Sequence, residues 1–300
     1  MADQEGEGRM KVALAGIGKI ARDQHVPALA ASPDWALAAT VSRSGTVEGV
    51  EAFTDVEAFL AARPDVPVVS LCMPPQPRFA YAEACLRAGR HVMLEKPPGQ
   101  TLAEVHALQR LAEAQGVTLF ATWHSRMAKG VAGAKAWLAG KRVTGGRITW
   151  REDVRKWHPG QEWVWEPGGL GVFDPGINAL SILTEAVLEV PEGRDTPIAA
   201  RLTFSGGITA DLDWRQEGPQ TWDIDLETED GTLSLREGGG RLVTDGAEAA
   251  GSLADEYPAL YARMAELVRT GASDVDLAPM VHVADAFSLG RRVVVEPFAF

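Results

Sequence analysis

Two cysteines in 300 residues leave nothing from which to build a disulfide framework. Cys72 stands near the end of an apolar stretch and Cys85 in a helical one, so both read as reduced packing thiols. Positive charge is also scarce: 29 Lys and Arg face 41 Asp and Glu, for a net charge of -12. A nucleic-acid partner is therefore not expected. Every apolar run falls short of a membrane span, and Met1 to Arg9 is polar and charged, with no secretory signal. A cytoplasmic protein without a membrane partner is the expectation. The sequence has no H-E-x-x-H, no Cys/His ligand set and no G-x-S-x-G, so no metal centre is expected. No period marks a solenoid, and no tract is of low complexity.

What is present is organised around residues 10–21, which read as a buried strand, a glycine turn and the start of a helix. The turn has the spacing G-x-G-x-x-A, with Gly16, Gly18 and Ala21 in the key places. Gly16 suits a tight turn, Gly18 lets a pyrophosphate approach the main chain, and Ala21 lets the helix sit close to the strand. Ile17, Lys19 and Ile20 lie in the same turn, where free N–H groups at a helix start face phosphate. The acidic field repels an anionic cofactor, and Lys19 and Arg22 supply local positive charge against it.

Strands and helices then alternate. Strands are predicted at 35–41, 68–73, 91–94 and 117–121, and helices at 56–63, 79–88 and 101–115. This order gives a doubly wound parallel sheet of the α/β class. The second strand ends at Ser42-Arg43, where an NAD-binding fold usually carries an acid for the ribose hydroxyls. No carboxylate is there to repel a 2′-phosphate, and Arg43 can pair with it. NADP is the expected cofactor, with NAD also accepted. Ligands of such sheets bind beyond the carboxyl ends of the strands. Cys72, Met73, Pro74 and Pro75 fall there, as do Glu95, Lys96, Pro97 and His124. Read from the residues alone, Lys96 is either a functional cation or an exposed loop charge.

After about residue 122 the pattern changes to alternating strands at 147–152, 198–204, 208–214, 222–228, 231–235 and 241–243. Turn residues such as Gly206-Gly207 separate them, and two helices close the chain at 257–268 and 279–289. The prediction is an α+β domain with an open, mostly antiparallel sheet. Residues 151–165 are too polar for a core and too aromatic for a plain loop. Trp157 and Trp165 can stack on a sugar ring, and Glu152 and His158 can bond its hydroxyls; equally, the tryptophans can pack a core. Asp174 and Asn178 are four apart and share a helix face, with Asp174 also placed to cap that helix.

Gly16-x-Gly18-x-x-Ala21 with His25-x-Pro27, then Glu95-Lys96-Pro97, then Asp174-Pro-Gly-x-Asn178 resemble the glucose–fructose oxidoreductase/inositol dehydrogenase (Gfo/Idh/MocA) family. The resemblance covers nearly the whole chain and implies a Rossmann domain over 1–121. It implies a substrate domain over 122–300, whose final helix can pack back on the first. Trp123-His124-Ser125-Arg126, Trp157-His158-Pro159 and the segment 172–178 carry a further similarity to its aldose 1-dehydrogenase branch. That similarity implies NAD(P)-dependent oxidation of an aldose, D-galactose or L-arabinose, at C1 to the lactone. Lys96, Asp174 and Asn178 are the implied catalytic residues, with either Asp174 or Lys96 as the base. Lys96, His124, Glu152, Trp157, His158, Trp165, Asp174 and Asn178 are the implied sugar contacts. A homodimer through the open sheet is also implied. Two departures stand out: the family usually has His where Asn178 stands, and Gln76-Pro77-Arg78 replaces a histidine after the third strand.

Overall fold

The structure is a computed structural model that describes residues 8–165, 183–249 and 256–299. The chain divides into two compact units. One is Met1–His124 with Tyr257–Asp276, and the other is Ser125–Glu256 with Leu277–Phe300. The helix Glu256–Thr270, rather than the final one, groups with the first unit from Tyr257 onward.

The first unit holds six parallel strands: β1 (Met10–Ala15), β2 (Trp35–Val41), β3 (Glu51–Phe53), β4 (Val68–Leu71), β5 (His91–Leu94) and β6 (Leu119–Ala121). Their order is β3-β2-β1-β4-β5-β6. Val12 to Ala15 and Val68 to Leu71 are buried throughout, as the middle of a sheet covered on both faces requires. The helices are α1 (Val26–Ala31), α2 (Val56–Ala62), α3 (Pro75–Arg87) and α4 (Leu102–Gln115). Asp55 caps α2 by accepting from the Ala58 amide at 2.8 Å, and Thr101 caps α4 by accepting from the Glu104 amide at 3.2 Å. Two details differ from the sequence reading. β3 is a three-residue edge strand that alternation does not mark. α3 starts at Pro75 rather than Phe79, because the first turn of a helix tolerates proline, whose missing N–H would lack a helical partner there anyway.

The strand order reverses between β1 and β4, which opens the crevice where such sheets bind ligands. The glycine turn follows β1 there. Gly16 has φ +88°, and a Cβ on it would lie 2.6 Å from the Met73 amide nitrogen. Only glycine fits. A Cβ on Gly18 would meet nothing within 4 Å, so the space above that backbone is open. Past the turn the helix widens at Ala21–His25 before continuing as α1.

The second unit is built on nine strands: β7 (Val143–Arg151), β8 (Leu183–Pro191), β9 (Ala199–Phe204), β10 (Ile208–Asp213), β11 (Thr221–Thr228), β12 (Gly231–Arg236), β13 (Arg241–Thr244), β14 (Ala247–Ala249) and β15 (Arg291–Val295). The order is β14-β13-β12-β11-β7-β10-β9-β8-β15. Pairing is antiparallel except for β7 with β10 and β8 with β15. One face carries Ile148, Leu202, Ala210 and Leu212 into the core. The other carries charge: Asp211 meets Arg151 at 2.6 Å, and Asp225 meets Arg236 at 2.6 Å. No helix of the described residues is long and apolar enough to cross a membrane.

The two glycines predict opposite outcomes. Gly16→Ala should lower unfolding free energy by about 1–3 kcal/mol, because it forces both a strained φ and a backbone clash. Gly18→Ala should stay within about 0.5 kcal/mol of the parent, since nothing crowds it. Denaturant titration of both variants checks this.

Candidate functional site

The site is described unit by unit, starting at the glycine turn. The Ser42 hydroxyl accepts from the Ile17 amide at 3.4 Å and the Gly45 amide at 3.2 Å, so it ties the end of β2 to the turn. Arg43 next to it is exposed. Lys19 forms an exposed ion pair with Asp23, one turn along, so its charge is shared rather than free for a phosphate.

The ends of β4 and β5 are joined by a residue that sequence reasoning noted only as a departure. Arg78 is 2% exposed, and its guanidinium donates to the carbonyls of Met73, Glu95 and Pro97, the Glu95 bond being 2.5 Å. One planar donor fork therefore fixes both strand-end loops. Met73, Cys72 and Pro75 are buried beside it, and Pro74 is half-buried. The Gln76 amide is different. Both its polar atoms are buried with no hydrogen-bond partner among the described residues. An orphaned buried amide at this end of the sheet, together with the open space above Gly18, fits a bound dinucleotide.

Glu95 follows β5 and is 4% exposed. Its carboxylate, expected to face the cofactor, is turned into the protein. Oε1 accepts from the Tyr257 hydroxyl at 2.8 Å and lies 3.1 Å from His25 Nε2; Oε2 accepts from the Lys96 amide at 2.8 Å. His25 has no exposed surface, and its Nδ1 lies 2.8 Å from the Tyr261 hydroxyl. Tyr261 also reaches Ser70 on β4 at 3.4 Å. Burial alone would raise the Glu95 pKa, but the hydrogen bond and charge of His25, with His124 and Lys96 behind, hold it well below the usual carboxylate range. Burial alone would lower that of His25; Cys72, Tyr261 and Glu95 together push it well above its ordinary value. Both directions favour the charged form of each partner. His124 stacks on Tyr257 with ring centroids 5.7 Å apart. Lys96 itself is half-buried, and its peptide bond to Pro97 is cis.

In the second unit, Glu152 follows β7 and is 3% exposed, and the Trp222 indole donates to its Oε2 at 2.8 Å. Trp222 in turn stacks on Trp150 with centroids 5.5 Å apart. The short helix Val154–Trp157 ends where the His158 amide donates to Val154 O at 2.8 Å. The half-buried His158 ring lies 3.5 Å from Gln161 Oε1 and 5.3 Å from the Trp214 ring. Trp165 is 2% exposed and packs on Trp214 and Phe298. Arg194 also lies over the Trp165 ring. Its faces are covered by protein, so it belongs to the core rather than to a sugar platform, which corrects the sequence reading. The Trp157 side chain, Asp174 and Asn178 lie outside the described residues.

This chain is similar to known proteins in sequence and fold. Residues 10–122 match the GFO/IDH/MocA group, an oxidoreductase family with an NAD-binding Rossmann fold. Galactose 1-dehydrogenase from Pseudomonas fluorescens is 39% identical over 96% of this chain and 98% of its own. The crystal structure of D-galactose-1-dehydrogenase from Rhizobium etli superposes with a TM-score of 0.91 at 52% identity, covering 97% of this chain and 98% of that one. A 3-ketoreductase from Actinomadura kijaniata, solved with NADP and TDP-benzene, shares the fold with a TM-score of 0.78 at 18% identity, covering 96% of this chain and 99% of its own. The first unit is an NAD-binding Rossmann domain, and the chain belongs to the GFO/IDH/MocA family of oxidoreductases.

Proposed function

We propose that this chain is an NAD(P)-dependent aldose 1-dehydrogenase that oxidises C1 of a pyranose to the lactone, with D-galactose and L-arabinose as substrates. The observation that carries this reading is the likeness to two galactose 1-dehydrogenases along nearly the whole chain. The two sugars have the same hydroxyl stereochemistry at C2, C3 and C4. They differ by one hydroxymethyl group, which a pocket discriminates by only about 1–3 kcal/mol.

The turn at Gly16, Ile17, Gly18, Lys19 and Ile20 would hold the pyrophosphate, and Ser42 and Arg43 the adenine ribose end. The strand-end residues 72–76 with Lys96 and Pro97 would line the nicotinamide end. A bound nicotinamide would supply the acceptor for the C1 hydrogen and its electron pair. The chain must then receive the proton of the C1 hydroxyl. Asp174 is anionic by default and accepts it. Lys96, cationic by default, favours the developing oxyanion. Asn178 has no basic atom at neutral pH and only orients the sugar. Glu152 and His158 bond ring hydroxyls, and Trp157 offers an aromatic face. An assay of cofactor reduction over a panel of aldoses tests the whole reading; no turnover with any aldose would sink it.

Three variant sets refine it. Arg43→Ala should lower kcat/KM with NADP by roughly tenfold and leave NAD nearly unchanged, because it removes one charge-assisted phosphate contact. A parent enzyme that strongly prefers NAD would remove the basis for this assignment. Glu152→Ala and His158→Ala should each raise the sugar KM by roughly tenfold, with the cofactor KM little changed. Unchanged sugar KM in both would move the pocket elsewhere. Asp174→Asn is nearly isosteric and should cost about 10²–10⁴ in kcat while NADP still binds. Near-parental kcat in that variant, with Lys96→Met inactive, would make Lys96 the base and Asp174 only a helix cap.

A further inference from the structure

Glu95, His25, Tyr257 and Tyr261 have no assigned part in the chemistry, yet they form a buried polar cluster directly behind Lys96. We propose that this cluster is a positioning device for Lys96: Glu95 fixes the Lys96 main chain from one oxygen while His25 and Tyr257 fix Glu95 from the other. The inference rests on the reading of Lys96 as a catalytic residue.

The geometry is specific. Glu95 Oε2 takes the Lys96 amide at 2.8 Å, and Oε1 takes the Tyr257 hydroxyl at 2.8 Å and His25 Nε2 at 3.1 Å. Two oxygens thus meet three donors. An ionised carboxylate accepts on both atoms; a carboxamide has one accepting oxygen and keeps both sides only if the Tyr257 hydroxyl and His25 turn from donors to acceptors. His25 is held in turn by Tyr261 at 2.8 Å, and Tyr261 by Ser70. Four separate pieces of the first unit therefore converge on one carboxylate: the wide turn after the glycine loop, β4, the end of β5, and helix Glu256–Thr270. The pKa directions agree with this geometry, Glu95 being held below and His25 above its ordinary value. Lys96 follows Glu95 on a main chain whose amide is already engaged. The carbonyls on either side of it, those of Glu95 and Pro97, are engaged by Arg78. Fixing the main chain fixes where the Lys96 side chain starts, and a shift of about 1 Å in a reacting group can cost 10²-fold in rate.

The test uses Glu95→Gln, Tyr257→Phe and Lys96→Met with two readouts. One is kcat and both KM values with the responsive aldose and NADP. The other is hydrogen exchange of the Lys96 amide in the folded, cofactor-free protein, which is accessible because the two residues after it are prolines without amides. Expected are an amide exchange at least tenfold faster and a kcat lower by about 10–100-fold in Glu95→Gln and Tyr257→Phe, with both KM values within about threefold of the parent. Unchanged exchange or a kcat within twofold in Tyr257→Phe overturns the proposal, even if Glu95→Gln fails to fold. So does a Tyr257→Phe enzyme whose melting temperature collapses and whose KM values rise as much as kcat falls, since that marks a merely structural residue. Near-parental kcat in Lys96→Met overturns the catalytic assignment of Lys96 itself. An inactive Lys96→Met beside fully active cluster variants overturns the positioning role alone.

Discussion

A carboxylate with 4% of its surface exposed is costly to bury, and the first unit is arranged around compensating the one at Glu95. Water no longer solvates it, so protein donors must. His25 supplies an opposite charge, Tyr257 a hydroxyl, and the next peptide an N–H. None of these donors is free to leave without stranding a charge. The constraint runs outward. His25 can reach Glu95 only if the helix after the glycine turn is placed as it is. Tyr257 can reach Glu95, and Tyr261 can reach His25, only if their helix lies against the sheet, and the Trp35 indole donating to Tyr261 O at 2.8 Å helps hold it there. Arg78 closes the same region from the other side by serving three carbonyls. The loop carrying Lys96 is thereby among the most bonded loops of the unit, although loops as a class are mobile.

Local chemistry was legible in the sequence. The glycine turn, the Thr101 cap of α4 and β5 follow from spacing and residue type alone. Even there a detail escaped: Glu104 does not bond back to the Thr101 amide, as a capping box would have it, but accepts from the Gln100 amide at 2.8 Å. β8 was missed because its leucines, glutamates and alanine are helix formers, and only its neighbours β9 and β15 make it a strand. Trp165 was ambiguous because a tryptophan can stack on a ligand or fill a core, and only its neighbours Trp214 and Phe298 decide.

The cluster behind Lys96 was not legible at all, and the reason is distance along the chain. His25 and Glu95 are 70 residues apart, Glu95 and Tyr257 162, and His25 and Tyr261 236. No short window of sequence holds both members of any of these three pairs. Arg78 was visible but uninterpretable, since its three acceptors are backbone carbonyls, which leave no mark in residue identity. Family motifs recorded His25 and Glu95 as recurring letters; the fold supplies the reason that they belong together.

The membership of helix Glu256–Thr270 in the first unit has a consequence for the birth of the protein. Synthesis proceeds from the N-terminus, and domains ordinarily fold as they emerge. Here the Rossmann sheet leaves the ribosome complete by Ala121, with His25 and the Lys96 amide already made, but the Tyr257 hydroxyl that also holds Glu95 and the Tyr261 hydroxyl that holds His25 come only later. Until then the nascent sheet carries Glu95 with one of its three donors missing and a Trp35 indole without its acceptor. The first unit therefore finishes after most of the second has been made, and a chain terminated before residue 257 would lack pieces of both.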